Sequence, residues 1–85
     1  MEQEEIEVGS ISHFFPKIGV AVLDVTTEVK TGEKIHIVGS TTDFEQEVFS
    51  MQIDKMPIQS AKKGQSVGLK VDQLTREGDR VYKLV

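Results

Sequence analysis

Eighty-five residues, 38% of them hydrophobic and 28% charged, with a formal net charge of −4, leave room for one small folding unit and exclude a bilobal enzyme. The absence of cysteine excludes a disulfide framework and thiolate chemistry, and agrees with a reducing cytoplasm. No apolar run approaches the roughly 20 residues that cross a bilayer, the opening MEQEEIEV is acidic where a signal peptide is basic, and the net negative charge opposes general attraction to nucleic-acid phosphates. The expectation is one soluble cytoplasmic domain over residues 1–85, with 1–5 as a flexible acidic N-terminus.

Beyond that tip, Ile6, Val8 and Ile11 switch spacing from two to three around Gly9, which predicts a strand with a bulge. The run from Ile18 to Thr26 alternates Ile18, Val20 and Val22 with Gly19, Ala21, Leu23 and Val25, a strand with both faces covered. Thr31-Gly32-Glu33 reads as a turn, and Ile35 and Ile37 then form a strand that His36 leaves outward and Gly39 closes. Residues 44–53 form a long strand whose buried face changes near Val48 to Ser50. Phe44, Val48 and Met51 also match a helical spacing, but a lone helix would interrupt the rhythm of strands and turns around it. Pro57 then breaks the ladder, Lys62-Lys63-Gly64 makes a turn, Val67, Leu69 and Val71 make a strand, and Gly78-Asp79 leads into a last strand at Val81. Gly19 and Gly68 lie within strands and predict close approach of backbones, while Gly32, Gly39, Gly64, Gly68 and Gly78 supply turns and corners.

Turn signals every 8 to 12 residues, with the segment from Phe44 to Met51 as the lone credible helix, predict an all-β fold, and a closed barrel of about six strands removes the free edges that invite aggregation. Groups that carry chemistry are sparse. No phosphate-binding glycine loop, no His pair at metal-ligand spacing and no nucleophile elbow occurs, so no nucleotide, metal, cofactor or catalytic site is expected. Glu45 and Glu47 share one strand face and read as solvated. The candidate contacts are the loop residues His13, Phe14, Phe15 and Lys17 and the turn lysines Lys62 and Lys63. Strand alternation sends adjacent phenylalanines to opposite sides, so one belongs to the core and the other to the surface.

The run VGSISHFFPKIGVAVLDVTTEVKTGEKIHIVG, Val8 to Gly39, resembles the opening of domain two in translational GTPases such as elongation factor Tu and initiation factor two, with KTGEKIHIVGS the nearest piece. Ala61, Gly64, Val67 and Gly68 are similar to that family's later A-x-x-G-x-x-V-G turn and strand, and REGDRVY to its closing turn. A similar barrel is appended to collagenase-like peptidases. The resemblance implies a small closed six-stranded Greek-key β-barrel of the translation elongation factor domain 2 type. It further implies a non-catalytic module that binds a translation component, whether ribosome, RNA or translation factor. The alternative is a protein-interaction subunit that supplies a barrel in trans to a separately encoded enzyme.

Overall fold

A computed structural model describes residues 4–85, and the first part of the acidic tip, residues 1–3, lies outside the described residues. Ten strands follow one another without a helix among the described residues. They are β1 (Glu5–Phe15), β2 (Val20–Val25), β3 (Val29–Lys30), β4 (Lys34–Val38), β5 (Asp43–Glu47), β6 (Met51–Ile53), β7 (Met56–Ile58), β8 (Ser60–Ala61), β9 (Ser66–Lys70) and β10 (Arg80–Leu84). Eight form an antiparallel sheet in the order β5-β4-β10-β1-β2-β9-β6-β7, and β3 pairs with β8 in a separate ribbon.

The expected closed six-stranded barrel is therefore corrected. The all-β class holds, but β5 and β7 end the sheet without pairing to each other among the described residues, and the elongation-factor type is not shown. The physical reason lies in the segment between β5 and β6. Phe44, Gln46 and Val48 point inward, then Phe49 and Ser50 are both exposed before Met51 is buried. This is the expected change of face near Val48 to Ser50, and it breaks one long strand into two short ones. Where β5 faces the end of β9, a side chain bridges the gap instead of a ladder. Buried Gln46 donates its amide to the Lys70 carbonyl at 2.9 Å, and its carbonyl accepts from the Asp72 N–H at 2.8 Å.

The core is one cluster of mostly aliphatic side chains, with Val8 and Ile11 of β1, Ala21 and Leu23 of β2, Ile35 and Ile37 of β4, Val67 and Leu69 of β9 and Val81 of β10 at its centre. The register of β1 slips between Glu7 and Gly9 against β10, so the bulge expected near Gly9 is present, and it slips again between Ile11 and His13 against β2. At Gly9 a Cβ would fall onto the Asp24 carbonyl oxygen of β2, so only glycine lets the two backbones approach there. Gly32, Gly64 and Gly78 occupy turns with φ near +90°, whereas Gly39 is held by proximity, since a Cβ would meet the Asp79 carboxylate.

Pro57 does not break the ladder as expected. It lies within β7 opposite Gln52, on the last strand of the sheet, where a missing N–H costs little. Asp54 and Lys55, both at positive φ (50° and 66°), form the two-residue turn that joins β6 to β7, a geometry that matches the twist of a hairpin.

Candidate interaction surface

The loop that follows β1 is built to be rigid. The Ile18 and Gly19 N–H groups both donate to the Phe15 carbonyl, the Val71 N–H donates to the Gly19 carbonyl at 2.9 Å, and the Lys70 ammonium donates to the Ile18 carbonyl at 2.7 Å. The end of β9 thus pins residues 16–19. The two phenylalanines separate as strand alternation requires. Phe14 packs against the core cluster, while Phe15 stays 44% exposed. The His13 ring meets the Phe15 ring edge-on, with centroids 4.4 Å apart and planes at 66°, which fixes the exposed aromatic in place.

Two grooves flank this loop. The larger, about 560 Å³, is lined by His13, Phe14 and Pro16 on one side and by Leu74, Thr75, Arg76 and Glu77 on the other. The smaller, about 240 Å³, runs over the outer face of β2, β9 and β6, with Phe15, Ile18, Val20 and Val22 on one wall. The β6–β7 turn supplies the other wall through Ile53 and Lys55. Its floor is Gly68, paired with Val22 on one side and Gln52 on the other. A Cβ at Gly68 would come within 3.2 Å of the Gln52 Cγ and 3.3 Å of a Val20 methyl, so the missing side chain leaves the hollow.

This arrangement also corrects the expectation that both faces of β2 are covered. Ala21, Leu23 and Val25 are fully buried, but Val20 and Val22 are only half-buried and Ile18 is exposed, because the second face is roofed by groove walls alone. Sequence reasoning missed Ile53, Lys55 and the outer valines. The one signal for them was Gly68 inside a strand, read as a close approach without a view of what lay above it.

The basic residues do not assemble. Lys17 sits in the loop before β2, whereas Lys62 and Lys63 belong to the turn whose Gly64 N–H donates to the Val25 carbonyl at the other end of β2. Six strand residues separate those ends by roughly 17 Å at the usual rise per residue. Lys34 is engaged with Glu45 at 3.4 Å. The basic features therefore form no single stripe that could track a phosphate backbone.

His36 does point outward, but it is not idle. Its Nε2 lies 2.5 Å from a carboxylate oxygen of Asp43 on β5 and its Nδ1 3.1 Å from one of Glu5 on β1, so that when the ring is protonated it donates to both and ties strands that are separated in the sheet. The Asp43 carboxylate above all, seconded by Glu5, holds the His36 pKa above its ordinary value, against the opposing effect of partial burial. Glu45 faces His36 directly across the β4–β5 ladder and is exposed, as expected of a solvated face. Among the described residues no group of three His, Cys, Asp or Glu side chains is placed to hold a metal ion. No helix among them is long and apolar enough to cross a membrane.

With the geometry in place, comparison with known proteins identifies the company this chain keeps. No family model matches it. It is 44% identical over 81 residues, 94% of its length, to an uncharacterized protease of Methanocaldococcus jannaschii, of which it covers 20%. It is 29% identical over 83 residues to a collagenase of Porphyromonas gingivalis, again covering 20% of that protein. The chain thus spans about a fifth of the length of the curated relatives it matches. In solved structures its fold is similar to the C-terminal domain of a putative U32 peptidase of Geobacillus thermoleovorans, with a TM-score of 0.85 and 18% identity over 93% of this chain and 91% of that domain. These relatives overturn the expected translation role. They are proteases and collagenases, so the resemblance to elongation-factor domain two stops at glycines and alternating aliphatics, which specify β turns and strands rather than a ribosomal, RNA or translation-factor partner.

Proposed function

We propose that this chain is a non-catalytic β-module of collagenase-like peptidases, which binds the part of such an enzyme that carries out hydrolysis. The observation that carries this reading is 44% identity along 94% of the chain to a protease five times its length. A match to one fifth of an enzyme fits a module that serves the catalytic part rather than one that replaces it. The fold supports the same reading, because its structural counterpart is a C-terminal domain of a putative U32 peptidase. The contact end is the one built from His13, Phe14, Phe15 and Lys17, where a pinned loop displays an aromatic ring. Lys62 and Lys63, at the far end of β2, take no part.

The test is to mix the full chain with the M. jannaschii protease from which the matching fifth has been removed, and to follow co-elution by size-exclusion chromatography. A one-to-one complex that survives moderate salt is expected. Separate elution of the two proteins at micromolar concentrations refutes the proposal.

A further inference from the structure

Resting on that reading, we propose that the groove floored by Gly68 receives an aliphatic side chain from an acidic stretch of the peptidase part. Its size points to a side chain rather than a free ligand. At about 240 Å³ it lies below the roughly 300 Å³ at which pockets for small molecules begin. Its walls are apolar where an occupant would sit, with Phe15, Ile18, Val20, Val22 and Ile53 facing a glycine floor. Ile18 is 56% exposed and Phe15 44%, so these side chains gain burial only when something fills the hollow.

The charges set the sign of the partner. Lys55 lines the groove, Lys70 stands at its rim with one bond to the Ile18 carbonyl, and Lys17 lies in the adjoining loop. Asp54 is the carboxylate in the lining. Asp24, farther along β2, already accepts from the Ser66 hydroxyl at 2.7 Å. Three cations against the carboxylates of Asp54 and Asp24 leave a local excess of one positive charge, where the whole chain carries −4. Glu5 and Glu7 lie instead on the part of β1 that pairs with β10 rather than with β2, and Asp43, Glu45 and Glu47 lie on β5, which pairs with β4. A carboxylate-flanked apolar side chain therefore meets attraction here and repulsion there. Both walls are already ordered, one by the bonds that pin residues 16–19 and the other by a two-residue turn, so little conformational entropy is lost on binding.

The experiment measures the Kd of the full chain for the same truncated M. jannaschii protease, using wild type and three single variants at exposed positions whose folding is checked by circular dichroism. Phe15→Ser and Lys55→Glu are each expected to weaken binding about tenfold or more, as central contacts do. Leu74→Ser, in the larger groove, is expected to leave it within about twofold. The Lys55→Glu loss should shrink as salt screens the charge. If wild type binds and both Phe15→Ser and Lys55→Glu bind equally well, or if only Leu74→Ser loses affinity, this inference is overturned while the proposed function stands. If wild type does not bind at all, both fall.

Discussion

Replacing Gln46 with leucine keeps the size of the side chain and removes both of its bridging hydrogen bonds. The buried amide donates to the Lys70 carbonyl and accepts from the Asp72 N–H, and it is only 5% exposed. A backbone group left unpaired in the interior costs about 1–3 kcal/mol, but Lys70 and Asp72 are exposed residues whose part-buried groups water can partly pair, which puts the variant roughly 1–3 kcal/mol below wild type. An 85-residue chain has roughly 4–13 kcal/mol of stability in total, so the loss is a large share of it. At about 4–8 °C per kcal/mol for a domain of this size, the melting temperature should fall by at least about 4 °C. Urea unfolding followed by circular dichroism gives the free energy directly. A loss under about 1 kcal/mol would show that this amide does not close the gap between β5 and β9, and that the open sheet is held by its apolar core alone.

His36 makes stability depend on pH. Its folded pKa is raised above the unfolded value of about 6.5, so its contribution is fully present below that pH and is lost as pH rises through the folded pKa. The groups that face it are Asp43 and Glu45 on β5, Glu5 on β1, Tyr82 opposite it on β10 and Lys34 on its own strand. The urea midpoint of wild type should therefore decline as pH rises above about 6.5 and through the raised folded pKa, relative to His36→Gln, and parallel curves would refute the role of the imidazolium. Gly9→Ala drives a Cβ into the Asp24 carbonyl and should cost about 1–3 kcal/mol or more by forcing β1 and β2 apart, read as a lower melting temperature; an unchanged melt would mean the two strands separate without penalty. Gly68→Ala should fill the floor of the smaller groove at little cost to folding, because the nearest atoms belong to the movable side chains of Gln52 and Val20, yet it should weaken binding of the truncated protease. Equal affinity for Gly68→Ala would count against an occupant that reaches the floor.

The parts of this fold that were legible in the sequence are those written in local spacing. The step from two to three between Ile6, Val8 and Ile11 announced the slip in β1, and the change of face after Val48 announced the break between β5 and β6. What was illegible depends on contacts between distant segments. The Gln46 bridge reaches Asp72, 26 residues away, and the Glu5–His36 bond spans 31, and neither leaves a periodic trace. The β6–β7 turn was hidden because Asp54 and Lys55 adopt positive φ without the glycine that usually marks such a turn. Pro57 was misread for a related reason. A proline breaks a ladder only if its strand has a partner on the N–H side, and sequence does not say which strand ends the sheet. The adjacent phenylalanines were divided correctly between core and surface because alternation along one strand is local. Their groove was not foreseen, because its other wall comes from a hairpin some 40 residues on.

The distribution of charge along the sheet bears on how such a module would find its partner. Strand register aligns Glu7, Tyr82, His36 and Glu45 in one row across β1, β10, β4 and β5, and the carboxylates in and beside that row are partly answered by Arg80, Lys34 and His36. On the groove side the apolar hollow is rimmed by Lys55 and Lys70 instead. An acidic partner that approaches the row meets like charge, while one that approaches the groove meets cations and then an unfilled apolar surface. Repulsion at the wrong face narrows the orientations that lead to docking, and burial at the right one supplies the residence time. The two contributions separate in kinetics. Salt should slow association with wild type more than it speeds dissociation, whereas Phe15→Ser should act chiefly on dissociation. The reverse pattern would place the binding energy in the lysines and leave the hollow without a part in it.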